Sequence, residues 1–299
     1  MHAIVLKYLE EVARRGSIRK ASRTLNVASS AINRQILKLE QEIGTPLFQR
    51  LPSGLRLSPA GELVLRHVRT TMYEFDRVQS EIAALQGIKA GLVKIVSLDS
   101  LLVDFLANAV EAFHRIYPAV TFQIDARGPG EVAGLVAAGR ADLGLSFSLD
   151  GHADVAFAQE IAMPMGVIMA PAHPLAGRAI LTLAECTGYP LIFQEDTAPI
   201  NSLLDAELAA TKAAATPFLT SNTLTFIKHM LAANLGIAFY TKLAFMGEVA
   251  RGELVHVPLA DRGLADLRLG LIVPKHRQPA VAAAVMIDHL RTTMEQLMA

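Results

Sequence analysis

Between residues 29 and 39 two kinds of side chain interleave: Ser29, Ser30, Asn33, Arg34 and Lys38, against Ile32, Ile36 and Leu39. On a helix this spacing places the aliphatic groups on one side and the hydrogen-bonding and cationic groups on the other. A helix about 10–12 Å across fits the major groove of a DNA duplex. There Arg34 can donate two hydrogen bonds to guanine O6 and N7, and Asn33 can pair with adenine N6 and N7. Ser29 and Ser30 sit at the helix start, where free backbone N–H groups favour a phosphate. Lys38, with Arg50 and Arg56 further on, suits phosphates, which position a protein without specifying sequence.

The charge distribution points the same way. Residues 1–61 hold ten Lys/Arg and four acids, a head of +6 in a chain of net charge zero, so the remainder carries −6. A basic head on an acidic body suits a polyanionic partner such as double-stranded DNA.

Three helices and a hairpin must position these groups. Ile4, Val5, Tyr8, Leu9, Val12 and Ala13 trace a helical stripe that ends near Gly16. Ser17 can cap a second helix with Ile18, Ala21 and Leu25 inward. After a short turn at Asn26-Val27 the third helix turns Ile32, Ile36, Leu39 and Ile43 inward and stops at Gly44. Phe48 to Leu57 alternates around Pro52-Ser53-Gly54, predicting a tight hairpin, the wing. Ser58-Pro59 then caps a long helix. Its Leu65, Val68, Met72, Phe75, Gln79 and Ile82 follow spacings of three and four, a seam that favours helix pairing and a homodimer. Gly87 and Gly91 bracket a hinge.

From Leu92 strands and helices alternate: strands at 93–98, 120–125 and 142–147, helices at 102–116 and 131–138. The pattern resumes with strands at 165–169, 190–194, 218–220, 236–240 and 268–273 and helices near 201–212, 223–235 and 279–298. This order predicts a parallel sheet wrapped by helices. In open α/β sheets ligands sit beyond the carboxyl ends of strands. Those ends supply Asp99, Ser100, Arg127, Phe147 and Ser148 in the first half, and Thr197, Asn201, Asn222 and Thr223 in the second. Ser100 and Thr223 start helices, so each offers a hydroxyl beside free backbone donors; with Arg127 they favour a small organic acid. N-capping is the ordinary use of the same hydroxyls.

Other classes find little support. Gly128-Pro-Gly130-Glu-Val-Ala133, with Asp150 about twenty residues on, has the spacing of a dinucleotide fingerprint. Pro129 removes an N–H that would cradle phosphate, and the motif follows the second strand of its domain. A nucleotide-dependent enzyme is therefore the weaker alternative, and no catalytic group is assigned. The nine histidines are scattered without ligand spacing, so no metal is expected, nor any cofactor. Cys186, the single cysteine, allows no intrachain disulfide and suits packing in a reducing compartment. The N-terminus lacks a signal-peptide plan. No apolar run of about 18 residues suggests a membrane span. These features argue for the cytoplasm and against an exported solute-binding protein.

Several stretches carry a family likeness: Ala21 to Ile36, Leu39-Glu-Gln-Glu-Ile-Gly-Thr-Pro-Leu-Phe-Gln-Arg50, Leu57-Ser-Pro-Ala-Gly61, Gly139-Arg-Ala-Asp-Leu-Gly144 and Leu235-Gly-Ile-Ala238. In these the chain resembles LysR-type transcriptional regulators over essentially its full length. The resemblance implies an α/β chain with an N-terminal winged helix-turn-helix (1–58), a linker and dimerisation helix (59–88) and a two-subdomain, periplasmic-binding-protein-like effector domain (91–299). Subdomain I would comprise about 91–161 and 268–299, and subdomain II about 162–267, with crossovers near 161–165 and 265–268. It implies a small-molecule effector between the subdomains and a homodimer or homotetramer. The family usually has proline where Ser30 stands, serine at Asn33 and glycine at Asn234. The first two departures fall on the base-reading face.

Overall fold

The computed structural model describes residues 3–52, 54–85, 90–147, 152–195, 198–210 and 217–297. Ser53, Gly87, Ser148, Asp150, Thr197, Lys212 and Met298 therefore lie outside the described residues, as does the side chain of Asn201. The chain divides into two compact units, Met1–Ile82 and Ala83–Ala299.

In the first unit, α1 (Ala3–Arg15), α2 (Ile18–Leu25) and α3 (Ser29–Ile43) are followed by a hairpin of β1 (Phe48–Leu51) and β2 (Gly54–Leu57), and then by α4 (Pro59–Leu85). Local chemistry sets the boundaries. Ser17 Oγ accepts the Lys20 N–H, and Asn26, at φ 52°, ends α2 in the left-handed conformation that asparagine tolerates. Tyr8, Val12, Ala21, Ile32 and Ile36 close one buried cluster among the three helices, and Leu9, Leu47, Leu65 and Val68 close a second beneath α4.

The wing is tied down by polar contacts. Glu40 Oε1 accepts the N–H groups of Leu47 at 2.7 Å and Phe48 at 3.2 Å, and the Leu55 N–H donates to Gly16 O at 2.8 Å. Ser58 Oγ donates to Pro46 O at 2.7 Å and accepts the Gly61 N–H at 3.0 Å, so it caps α4 and fixes the entering chain together. Arg69 Nε meets Glu10 Oε1 at 3.1 Å, pinning α4 to α1.

Two expectations change here. The α4 seam is divided: Leu65, Val68 and Met72 pack on their own unit, whereas Phe75 and Ile82 are exposed, with Val78 beside them. Ile43 is exposed rather than inward, because α3 has passed beyond its neighbours by its last turn.

The second unit contains two five-stranded sheets. The first takes β3 (Gly91–Ser97), β4 (Val120–Ala126), β5 (Leu143–Phe147), β6 (Val155–Ala162) and, from the far end of the chain, β12 (Arg268–Pro274), in the order β4-β3-β5-β12-β6. The second takes β7 (Met165–Met169), β8 (Leu191–Gln194), β9 (Pro217–Ser221), β10 (Ile237–Thr241) and β11 (Val255–Pro258), in the order β11-β7-β10-β8-β9. Helices cover both: α5 (Asp99–Leu101), a π segment (Leu102–Leu106), α6 (Ala107–Ile116), α7 (Pro129–Ala137) and α13 (Val281–Gln296) on the first; α8 (Leu183–Cys186), α9 (Ala198–Ala210), α10 (Leu224–Ala232), α11 (Met246–Ala250) and α12 (Arg262–Ala265) on the second.

The sheets are mixed, not wholly parallel. β3, β4 and β5 are parallel, but β12 runs antiparallel to both β5 and β6. In the other sheet β7 is antiparallel to β10 and β11. The chain crosses between sheets at Met163-Pro164 and again at Asp266-Leu267, and Met163 N–H donates to Leu267 O at 2.8 Å, tying the two crossings together. β6 and β11 have no counterpart among the strands expected from sequence. Both are edge strands, where half the pairing is missing and alternation is weakly enforced. Cys186 is fully buried, and burial pushes its thiol up to about 12, with Glu185 and Asp261 adding to the shift. Among the described residues no helix is long and apolar enough to cross a membrane, and no group of three metal-ligating side chains occurs.

Gly61 lies where a Cβ would overlap the Leu47 carbonyl oxygen. Gly61→Ala should cost about 2 kcal/mol or more of first-unit stability, because backbone rather than a flexible side chain must yield; chemical denaturation checks it.

His256, on β11, has its ring Nε2 without a hydrogen-bond partner among the described residues. Burial first, and the Lys242 charge second, lower its pKa to about 4, against an opposing hydrogen bond with the Tyr240 backbone. The folded protein keeps this ring neutral while the unfolded chain protonates it below about 6.5. Stability should therefore fall as pH drops from about 6.5 towards about 4, by about 2 kcal/mol from this group. Denaturation of the protein and of His256→Gln at both ends of that window should show a smaller acid loss in the variant.

Candidate functional site: an exposed helix face and an inter-sheet cleft

α3 begins after Ala28 with no side chain bonded to its first N–H groups, leaving backbone donors at its N-terminus. Burial of Ile32 and Ile36 turns the opposite face outward. On that face Ser30, Arg34 and Lys38 are exposed, and Ser29 and Asn33 are half-buried. Lys38 Nζ lies 3.8 Å from Glu42 Oε1, but both side chains are well exposed, so water screens the pair. Arg34 has no ion-pair partner among the described residues. By contrast Arg14 and Arg15 are both held by Glu11, whose burial opposes its ionisation but is outweighed by the two guanidinium groups, lowering its pKa. The positive charge of α1 is therefore partly neutralised, while Arg34 of α3 has no acid paired with it among the described residues.

The structure adds one residue to this face and separates two others. Leu37, 44% exposed, shares the stripe with Ser30, Asn33 and Arg34, although its apolar type gives no reason to place it outside. In the wing Gln49 pairs with Arg56 and Arg50 with Leu55. Because neighbouring residues on a strand point to opposite faces, exposed Arg50 and Arg56 project from opposite sides of the hairpin. They cannot serve as one clamp.

In the second unit a cavity of about 1010 Å³ opens between the two sheets. Asp99, Ser100, Arg127 and Phe147 contribute from beyond the strand ends of the first sheet, and Asn222 and Thr223 from the second. Six of the nine residues expected there thus line one cavity; Ser148 and Thr197 lie outside the described residues, and Asn201 stands in α9 with its side chain outside them. Neither hydroxyl is spent on capping. Leu98, not Ser100, occupies the N-cap position of α5, and Thr223 caps α10 without a side-chain bond, its Oγ1 donating instead to Asn222 Oδ1 at 3.2 Å. Arg127 is itself engaged: it donates to the Ala126 carbonyl and lies 4.0 Å from Asp125.

Aromatic and apolar groups complete the wall, among them Phe193, Phe239 and Tyr240. Tyr240 donates to Gln194 Oε1 at 3.0 Å. Burial, and then the Asp99 charge facing it across the cleft, push its phenol far up, so it stays neutral. Thr241 lines the cavity too, 2% exposed, and its Oγ1 has no hydrogen-bond partner among the described residues. Sequence reading missed Thr241, since a threonine closing a strand has an ordinary structural use. Beyond the cavity, Asp104 of the π segment reaches the second sheet's helices: Lys228 Nζ lies 3.6 Å from Asp104 and 2.9 Å from Glu248, and the Gly247 N–H donates to Asp104 at 3.3 Å. Asn234, where the family usually has glycine, stands at φ 55°, so asparagine supplies the left-handed turn after α10.

Comparison with known proteins accords with this geometry. The family model described as "LysR substrate binding domain" matches residues 86–295, and that described as "Bacterial regulatory helix-turn-helix protein, lysR family" matches residues 5–62. The transcriptional activator protein LysR of Escherichia coli is 24% identical over 99% of this chain and 96% of its own length. A Bacillus subtilis HTH-type transcriptional regulator, YybE, is 28% identical over 61% of this chain, an alignment spanning 63% of that relative. Among solved structures, a variant of full-length OxyR from Pseudomonas aeruginosa shares the fold with a TM-score of 0.69 at 18% identity, covering 99% of this chain and 95% of the other. With both family models matched in order along the chain, the protein belongs to the LysR family: a DNA-binding transcriptional regulator with an effector-binding domain.

Proposed function

We propose that α3 reads base edges in the major groove with Arg34 and Asn33, while Ser29, Ser30, Lys38, Arg50 and Arg56 hold phosphates. The observation that carries this is the unpaired Arg34 guanidinium on a helix face held outward by buried Ile32 and Ile36. Leu37 offers an apolar contact beside it, suited to a thymine methyl. Exposed Phe75, Val78 and Ile82 on α4 support pairing of two copies, hence a homodimer as the minimal unit, with a tetramer built from such dimers. A regulator of this kind works where DNA is, in the cytoplasm.

The effector occupies the cleft, in contact with Asp99, Ser100, Arg127, Phe147, Asn201, Asn222 and Thr223. The Ser100 hydroxyl, not used in capping, and the Arg127 guanidinium support an acid group on it. Binding favours one arrangement of the two subdomains over another, which alters the spacing of DNA-binding heads in the oligomer. Such coupling requires different effector affinities for the two arrangements.

Arg34→Ala should lose about 1–3 kcal/mol on the specific site and relax one base position, whereas Lys38→Ala should weaken all sequences alike. Titration of both variants on the bound site and on random duplex separates the two roles; equal losses on both DNAs for Arg34→Ala contradict base reading.

The Asp104–Lys228 contact bridges the two subdomains without lining the cleft. Asp104→Asn should change effector affinity about fivefold or more by shifting the subdomain equilibrium, with DNA affinity in the absence of effector shifting through the same coupling. Unchanged values for both would remove this contact from the mechanism.

A further inference from the structure

The charges of the cleft do not match a purely anionic effector. Its described lining carries three carboxylates, Asp99, Glu131 and Glu195, against one guanidinium, Arg127. Arg127 is already shared with Asp125 and a backbone carbonyl. Glu195 accepts a hydrogen bond from Thr220 Oγ1 at 3.3 Å. The Asp99 side chain, half-buried, has no hydrogen-bond or ion-pair partner among the described residues. It stands in the first turn of α5 and lines the cavity. A half-buried carboxylate in a walled cleft, without a protein cation, is a position where a ligand cation is strongly favoured.

Two further observations converge on that position. Tyr240, which feels the Asp99 charge, presents a neutral aromatic ring in the opposite wall, with Phe147 and Phe239 also lining the cavity; aromatic faces attract cations. Thr241, next in β10, leaves a buried hydroxyl with unspent hydrogen-bonding capacity in the same wall. A wholly anionic ligand would meet the unpartnered Asp99 carboxylate and gain only a shared arginine.

We propose that the effector carries a protonated amine seated against Asp99, together with an acid group towards Arg127, so that it belongs to the amino acids rather than to simple organic acids. This rests on the cleft being the effector site.

The test uses the full chain and matched triplets across the twenty common side chains: the free amino acid, its N-acetyl derivative and the 2-hydroxy acid with the same side chain. Thermal stabilisation finds a binder, because a ligand that binds only the native state raises its apparent stability, and calorimetry measures its affinity. A free amino acid should bind at least about tenfold more tightly than its two partners, and Asp99→Asn should abolish that preference. Hydroxy acids binding as well as amino acids, or no free amino acid binding at all, overturns the proposal. So does an amine preference that survives Asp99→Asn while Arg127→Ala weakens binding. Binding that is insensitive to both substitutions instead removes the cleft as the site. The triplet comparison on the unaltered protein decides the matter even if Asp99→Asn unfolds.

Discussion

Burial of one face of α3 is the constraint on which the DNA-binding unit depends. Ile32 and Ile36, fully or almost fully buried against Tyr8, Val12 and Ala21, each contribute about 1.5–3 kcal/mol by leaving water. That packing leaves the helix no freedom to rotate, so Arg34 and its neighbours face solvent whatever their own preferences. The wing is then placed relative to the helix by Glu40, whose carboxylate takes two backbone N–H groups at the start of β1. A single acidic side chain in a basic head thus has a structural use: it spends its charge on backbone donors rather than repelling a phosphate from the reading face.

The sensing unit follows a different rule. Two sheets are joined by only two chain crossings, at 163–164 and 266–267, held together by one backbone hydrogen bond. Each sheet has its own buried clusters, with Leu243 of the second subdomain reaching into the first sheet's cluster and Phe147 of the first packing against the second's. Contacts between the two are apolar as well as polar: Leu243 and Met246 pack into the first sheet's cluster, and Asp104 meets Lys228 and the Gly247 N–H. Small free-energy differences at polar contacts of this kind are the range in which a ligand can shift a population. In the proposed reading, a bound molecule acts on that balance between the Asp99 carboxylate and the Tyr240 ring, both of which line the cleft.

Much of this was legible in the residues. The stripe of α3 announced itself because buried and exposed positions alternate with helical period, and Ser17, Gly44 and Ser58-Pro59 mark ends through chemistry that is local. The strand ends carrying Asp99, Arg127 and Thr223 were legible because strand–helix alternation fixes where loops gather. What escaped depended on partners distant in sequence. Edge strands β6 and β11 lack a strong pattern. Leu37 is exposed only because its neighbours bury the other face. The two wing arginines diverge by register, and the unspent hydroxyl of Thr241 and the engagement of Arg127 by Asp125 are properties of the folded walls alone. The α4 seam shows the same limit: its spacing is continuous, yet its first half is consumed by Leu9 and Leu47 of its own chain.

The central claim, that the outward face of α3 reads duplex DNA in a paired assembly, is tested most directly by selecting bound sequences from a random duplex library with the full-length protein. The expected result is enrichment of two related half-sites whose centres lie whole helical turns apart, about 10 base pairs or a multiple. A library that returns no enriched sequence, from a folded protein that ignores duplex DNA even at low ionic strength, would contradict it.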